Sequence, residues 1–208
     1  MQIAIALYEN FTALDAIGPY ETLGNIPGAE TVLVAEQAGP VRNDRGDLSV
    51  VATKSFAEVT RPDIVVVPGG PDATNQTENK PLLDWLRAVD PTTTWTTSVC
   101  TGALALAAAG LLENRRATTH WLAMDTLEGL GARPTGERVV FDGKYVTAAG
   151  VSSGIDMGLT LVGKLQGDMV AQVIQLMTEY DPQPPYDAGS PDKAPAEVVA
   201  YCRAELTV

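Results

Sequence analysis

The feature that most constrains this chain is an alternation: short apolar, strand-like runs take turns with helix-like ones. Gln2–Leu7 is apolar and partly β-branched. Thr12–Leu23 follows, with Leu14, Ile17, Tyr20 and Leu23 recurring at helical spacing. Thr31–Ala35 and Asp63–Val67 read as further strands, and Pro68-Gly69-Gly70 ends the second. Pro81 opens a helix reaching Ala88, in keeping with the preference of proline for a first helical turn. Trp95–Val99 is a strand leading into a helix at Gly102–Leu111, and Ala117–His120 a strand leading into a helix at Trp121–Leu130. Arg138–Phe141 and Tyr145–Ala148 flank Asp142-Gly143, a two-residue hairpin signal. Helices are expected at Ser152–Leu165, Asp168–Tyr180 and Ala196–Leu206, with Pro182–Pro195 an irregular proline- and glycine-rich wrap before the last.

Repeated β-then-α units predict an α/β fold, a doubly wound and mostly parallel sheet with helices on both faces. A length of 208 residues suits one domain with one buried core. Ligands of such folds meet the carboxyl ends of the strands. Pro68-Gly69-Gly70, Cys100 and His120 all fall at such ends.

Composition removes several classes of function. The net charge of −12 argues against a nucleic-acid partner, and the one basic cluster, Arg115-Arg116, is too small to track phosphates. The longest apolar stretch, Gly102–Leu112, falls well short of the ~20 residues a membrane-spanning helix needs, so no membrane partner is expected. Met1–Leu7 has no basic start and no small-residue cleavage site, so it reads as a strand and not an export signal, and a cytoplasmic location is expected. In a reducing compartment Cys100 and Cys202 are expected to be free. Two cysteines and one histidine offer no metal-ligand spacing, so no metal site is expected.

Cys100 sits between the strand "WTTSV" and the helix "TGALALAAAGLL", with Ser98 and Gly102 two residues to either side. This approximates a nucleophile elbow, in which tight strand–helix packing admits only small neighbours. Amides at a helix start favour negative charge, so the position is expected to depress the thiol pKa. Cys202, in the last helix, has no such setting. The amides of Gly69, Gly70 and Thr101 are expected to form an anion-stabilising hole beside the sulfur. "GGPDATN" is no dinucleotide fingerprint, because the G-x-G-x-x-G spacing is absent. His120 is the only histidine, and either lies near the thiol or packs as a hydrogen-bonded residue. Asp15, among Leu14, Ala16 and Ile17, is either a desolvated proton-transfer group or a helix cap, and the cap is the plainer use.

"FTALDAIGPYETL", "DIVVVPGG", "SVCTGALALAAAGLL", "RRATTHW" and "TAAGVSSGIDMGLTLV" together resemble the ThiJ/PfpI superfamily, and within it the isonitrile-hydrating branch. The resemblance runs from Met1 to about Ala196. It implies a flavodoxin-like, class I glutamine amidotransferase-like fold and a homodimer. It also implies addition of water to a small-molecule isonitrile, giving an N-substituted formamide through a cysteine thioimidate, with no cofactor. Cys100 matches the nucleophile, Asp15 the general acid/base and Thr101 the residue that hydratases carry after the cysteine. Histidine-assisted branches place a histidine where Thr101 stands, although His120 matches a histidine near the nucleophile of some relatives. Alternatives are a redox-sensing or ligand-binding protein with an oxidisable cysteine, or a glyoxalase-like enzyme. With no DNA-binding segment in the sequence, an intact transcription regulator is not expected. Ile17, Trp121, Val151 and His120 are expected to line the substrate pocket.

Overall fold

A computed structural model describes residues 1–206. The chain opens with β1 (Gln2–Ala6), α1 (Ala13–Leu23) and β2 (Glu30–Ala35). Three short strands, β3 (Gly39–Arg42), β4 (Ser49–Ala52) and β5 (Lys54–Ser55), precede β6 (Ile64–Val67), α2 (Ala73–Thr77) and α3 (Lys80–Val89). Next come β7 (Trp95–Val99), α4 (Gly102–Ala108), β8 (Arg116–Ala117), α5 (Met124–Gly129) and β9 (Arg133–Pro134). The hairpin β10 (Val139–Asp142) and β11 (Tyr145–Ala148) then leads to α6 (Ser153–Gln166), α7 (Asp168–Met177) and α8 (Ala196–Glu205).

Seven strands form one sheet in the order β10-β11-β7-β6-β1-β2-β5. All neighbours are parallel except β10 with β11. From β1 the chain moves through α1 to β2 on one side, whereas β6 moves through α3 to β7 on the other. Right-handed crossovers running in opposite directions put their helices on opposite faces. Accordingly α1 packs on α6, and α3 on α4. β6 is buried along its whole length and β1 from Ile3 onward, which is why both read as continuous apolar runs. Ile3, Ile5, Ile64, Leu104 and Leu106 are fully buried, each worth roughly 1.5–3 kcal/mol of transfer from water.

The helix expected from Pro81 is present, with the Asn79 side chain accepting the Leu82 N–H at 3.2 Å as its cap. α4 stops at Ala108, short of the expected Leu111, because the chain turns at Gly110 with φ 82°. α7 likewise ends at Met177, before Tyr180.

Two expectations need larger correction. The strand expected at Ala117–His120 is only β8, which pairs with β9 outside the main sheet. The following residues spend their polar groups on side-chain bonds: Thr118 N–H donates to Thr147 Oγ1 at 2.8 Å, and Thr119 Oγ1 donates to the Cys100 carbonyl at 2.9 Å. The helix expected at Trp121–Leu130 divides into a 3-10 turn, Trp121–Ala123, and α5. The hairpin of β3 and β4, and the short α2, have no counterpart in the sequence reading.

Candidate active site

Cys100 connects β7 to α4 in the left-handed conformation, φ 57°. For a residue with a Cβ this costs about 1–2 kcal/mol, so neighbouring contacts must hold it. Its N–H donates to the carbonyls of Ala149 at 2.9 Å and Ala148 at 3.1 Å, at the end of β11. Its own carbonyl accepts the Thr119 hydroxyl. Gly102 explains the small residue after the turn. A Cβ there would lie 2.1 Å from the Val67 carbonyl oxygen. The elbow is closed by backbone against backbone.

Asp15 is fully buried on α1. It is not a cap, since Thr12 holds that position and the carboxyl turns away from its own helix. Asp15 Oδ2 instead accepts the Gly69 N–H at 2.9 Å, and Oδ1 has no hydrogen-bond partner. The Gly69 carbonyl accepts the Thr12 N–H at 2.8 Å, so the start of α1 grips both ends of Gly69. Burial raises the Asp15 pKa to about 7, against the opposing pull of the Gly69 N–H and the Cys100 thiol.

Thr101 makes a two-way clamp. Its Oγ1 receives the Gly70 N–H at 2.8 Å and donates to the Gly70 carbonyl at 2.7 Å. The Gln76 side chain also donates to that carbonyl, at 3.2 Å. These bonds correct the expected anion hole. The Gly69 and Gly70 N–H groups are committed to Asp15 and Thr101, so neither is free to face a reacting atom.

A second correction concerns the sulfur. Burial, and then the charge of Asp15, push the Cys100 thiol up to about 12, opposite to the expected depression. The backbone N–H groups of Val151 and Thr101 lie against the sulfur and favour its charged form, but they do not outweigh burial. Val151 has φ 27°, an outlying backbone for a β-branched residue. What it presents to the sulfur is its amide. Nothing in a sequence marks a valine for such a backbone role.

A thiol and a buried carboxyl beneath a glycine turn, at the carboxyl ends of parallel strands, form an arrangement with known counterparts. The DJ-1/PfpI family model matches residues 1–164. The chain belongs to the DJ-1/PfpI family. It is 42% identical over 203 residues to the isonitrile hydratase of Pseudomonas putida, covering 98% of this chain and 89% of the relative. It is similar to a ThiJ/PfpI family protein from Pseudomonas syringae, with a TM-score of 0.94 and 39% identity over 98% of this chain and 84% of that one. It also shares 30% identity over 141 residues with the transcriptional regulator CdhR of Pseudomonas aeruginosa, covering 67% of this chain and 41% of the regulator.

In this DJ-1/PfpI chain the four expected pocket residues do not line one cavity. Ile17 borders a cleft of about 160 Å³ between α1 and α6, with Leu14 and Ile155. Trp121 borders another of about 120 Å³ beneath the C-terminal segment, beside Pro191, Val198 and Cys202. Arg203 stacks over the Trp121 ring at 5.1 Å. The His120 ring lies against Gly150 and its Nδ1 accepts the Leu122 N–H at 3.4 Å, which makes it a turn cap. Burial lowers the His120 pKa, favouring neutral imidazole. Among the described residues no group of three or more His, Cys, Asp or Glu side chains is placed to hold a metal ion. No helix there is long and apolar enough to cross a membrane.

Two polar side chains around the site escape the sequence reading. Tyr8 Oη donates to the Pro68 carbonyl at 2.8 Å, and the buried Gln76 supports Gly70. Both sit in segments with no motif, and only the fold brings them to the glycine turn.

Proposed function

We propose that this protein is an isonitrile hydratase, with Cys100 as nucleophile and Asp15 as the group that moves the proton. The observation carrying the reading is the Asp15–Cys100 pair: a buried carboxyl that titrates near 7 beside a thiol that does not. The likeness to the P. putida enzyme along nearly the whole chain supports it.

At neutral pH the proton of the resting pair is on sulfur, and Asp15 is partly ionised. Asp15 takes the thiol proton as sulfur attacks the terminal carbon of R–N≡C. It returns that proton to the same carbon, giving the thioimidate R–N=CH–S–Cys100. Asp15, again a carboxylate, removes a proton from water as the oxygen adds to the carbon. Protonation of nitrogen and loss of the thiol release R–NH–CHO and restore Cys100–SH. Every product atom comes from the isonitrile and water, so the cycle needs neither a metal nor an organic cofactor. Proton transfer by one placed carboxyl contributes about 10²–10⁴ in rate.

Thr101 acts in this scheme by holding the Gly69-Gly70 strip, so that the Gly69 N–H stays on Asp15. The apolar side chains of Met169, Val173, Leu176 and Met177 stand exposed on α7 and support a homodimer. A cytoplasmic location suits a reaction that needs Cys100 reduced.

The test is incubation of purified protein with cyclohexyl isocyanide, reading N-cyclohexylformamide by mass spectrometry. Turnover that disappears in Cys100→Ala is expected. No formamide above the Cys100→Ala background overturns the reading.

A further inference from the structure

The Cys100–Thr101 peptide is held at its carbonyl end and bears on the sulfur at its N–H end. Its carbonyl, on Cys100, accepts the hydroxyl of Thr119 at 2.9 Å. Its N–H, on Thr101, lies against the Cys100 sulfur. A peptide unit is planar, so turning the carbonyl by any angle turns the N–H by the same angle. α4 does not hold this carbonyl, because the Leu104 N–H, which would reach it in a regular helix, donates to Thr101 instead at 2.9 Å. The left-handed backbone of Cys100 needs such outside support. Thr119 is fully buried, and lies on the segment that leaves β8 without joining the main sheet.

We propose that Thr119 is a positioning residue for the nucleophile: its hydroxyl fixes the plane of the Cys100–Thr101 peptide and so keeps the Thr101 N–H on the sulfur. This deepens the assignment of Cys100 as nucleophile and rests on it. The other titratable groups that interact with the sulfur, Asp15 and Tyr8, make no hydrogen bond to the Thr119 hydroxyl, whose bond goes to the Cys100 carbonyl.

The experiment measures alkylation of Cys100 by iodoacetamide across the neutral to alkaline range, peptide by peptide, with Cys202 in the same molecules as internal reference. Thr119→Val is expected to slow Cys100 alkylation about tenfold at neutral pH and to move its pH profile upward, as loss of one hydrogen bond acting on a thiolate predicts. Cys202 is expected to react as before, and Thr119→Ser to recover the parent profile. With cyclohexyl isocyanide as substrate, the Val variant is expected to lose kcat with little change in KM. If Thr119→Val does not fold, Thr119→Ala, which adds no bulk, is measured in its place with the same expectation. An unchanged rate and profile in the folded hydroxyl-free variant overturns the proposal. So does a Thr119→Ser protein as slow as that variant. Alkylation uses no isonitrile, so failure of the hydratase reading leaves this result legible and separate.

Discussion

Asp15 and Gly69, 54 positions apart in the chain, are joined by a single hydrogen bond of 2.9 Å from the glycine N–H to Oδ2. One carboxyl oxygen is thereby anchored, and the other is left uncommitted in a site that also holds the Cys100 thiol. Burial costs the charged form more than this bond and the Cys100 thiol together return, which is why the group titrates near neutrality.

That imbalance gives stability a pH dependence. Asp15 titrates at about 7 in the folded chain, against 3.8 for an ordinary aspartate. Between these values the folded state binds more protons than the unfolded one, so stability falls as pH rises from about 4 through about 7. Asp15→Asn is expected to remove this slope and to gain on the order of a few kcal/mol above pH 7. Urea melts of both proteins at mildly acidic and mildly alkaline pH check it, and parallel slopes contradict it.

The same titration is expected to set the rate. In the proposed cycle the carboxylate form of Asp15 takes the thiol proton, so kcat/KM for cyclohexyl isocyanide is expected to rise with pH through about 7 and then level off. The thiol, held near 12, contributes no second step in the working range. A rate that falls through neutrality would assign Asp15 the opposite protonation state.

Thr101→Val keeps shape and removes the clamp on Gly70. The Gly70 carbonyl retains Gln76, but its N–H is left buried without a partner, a loss of about 1–3 kcal/mol. Formamide production is expected to fall with it, and Thr101→Ser to restore both. Denaturation and turnover measured on the same samples check the pairing.

Gly102→Ala has no room. The new methyl would meet the Val67 and Pro68 carbonyl oxygens at 2.1 and 2.8 Å, both of them backbone. A loss on the order of 3 kcal/mol or more is expected, together with loss of Cys100 function. A melting curve superposable on that of the parent contradicts the account.

Leu176 and Met177 are 77% and 71% exposed, an unusual cost for a helix face in water. The parent is expected to elute at twice the 21.9 kDa chain mass. Leu176→Glu with Met177→Glu is expected to yield monomer. Light scattering after gel filtration reads both.

The elements that place the site are legible in the sequence because their periodicity is strong. β1, β6, β7 and the elbow at Cys100 all sit where apolar runs and small residues put them. Other features depend on desolvation and on backbone direction, which leave no mark on residue order. Cys100 lies in the same buried core as β1 and β6, and burial reverses the pKa shift expected of a helix start. Gly69 and Gly70 are close to the thiol as expected, yet their N–H groups are spent on Asp15 and Thr101. Asp15 looks like a cap because caps are common at such positions, and only the distant Gly69 reveals its use. The hairpin of β3 and β4 escapes because its exposed edges carry little hydrophobic pattern.

Backbone atoms line the elbow where side chains would ordinarily vary. At Gly102 the space is one hydrogen atom wide, and at Gly69 a Cβ would fall 2.5 Å from the Thr101 nitrogen. Evolution and the protein engineer meet the same restriction. A combinatorial library aimed at new substrates is wasted on residues 69, 70 and 102, where any side chain would run into backbone or buried neighbours. Diversity is tolerated in side chains that carry none of these main-chain contacts, so new specificities of this scaffold must arise around a fixed reactive centre.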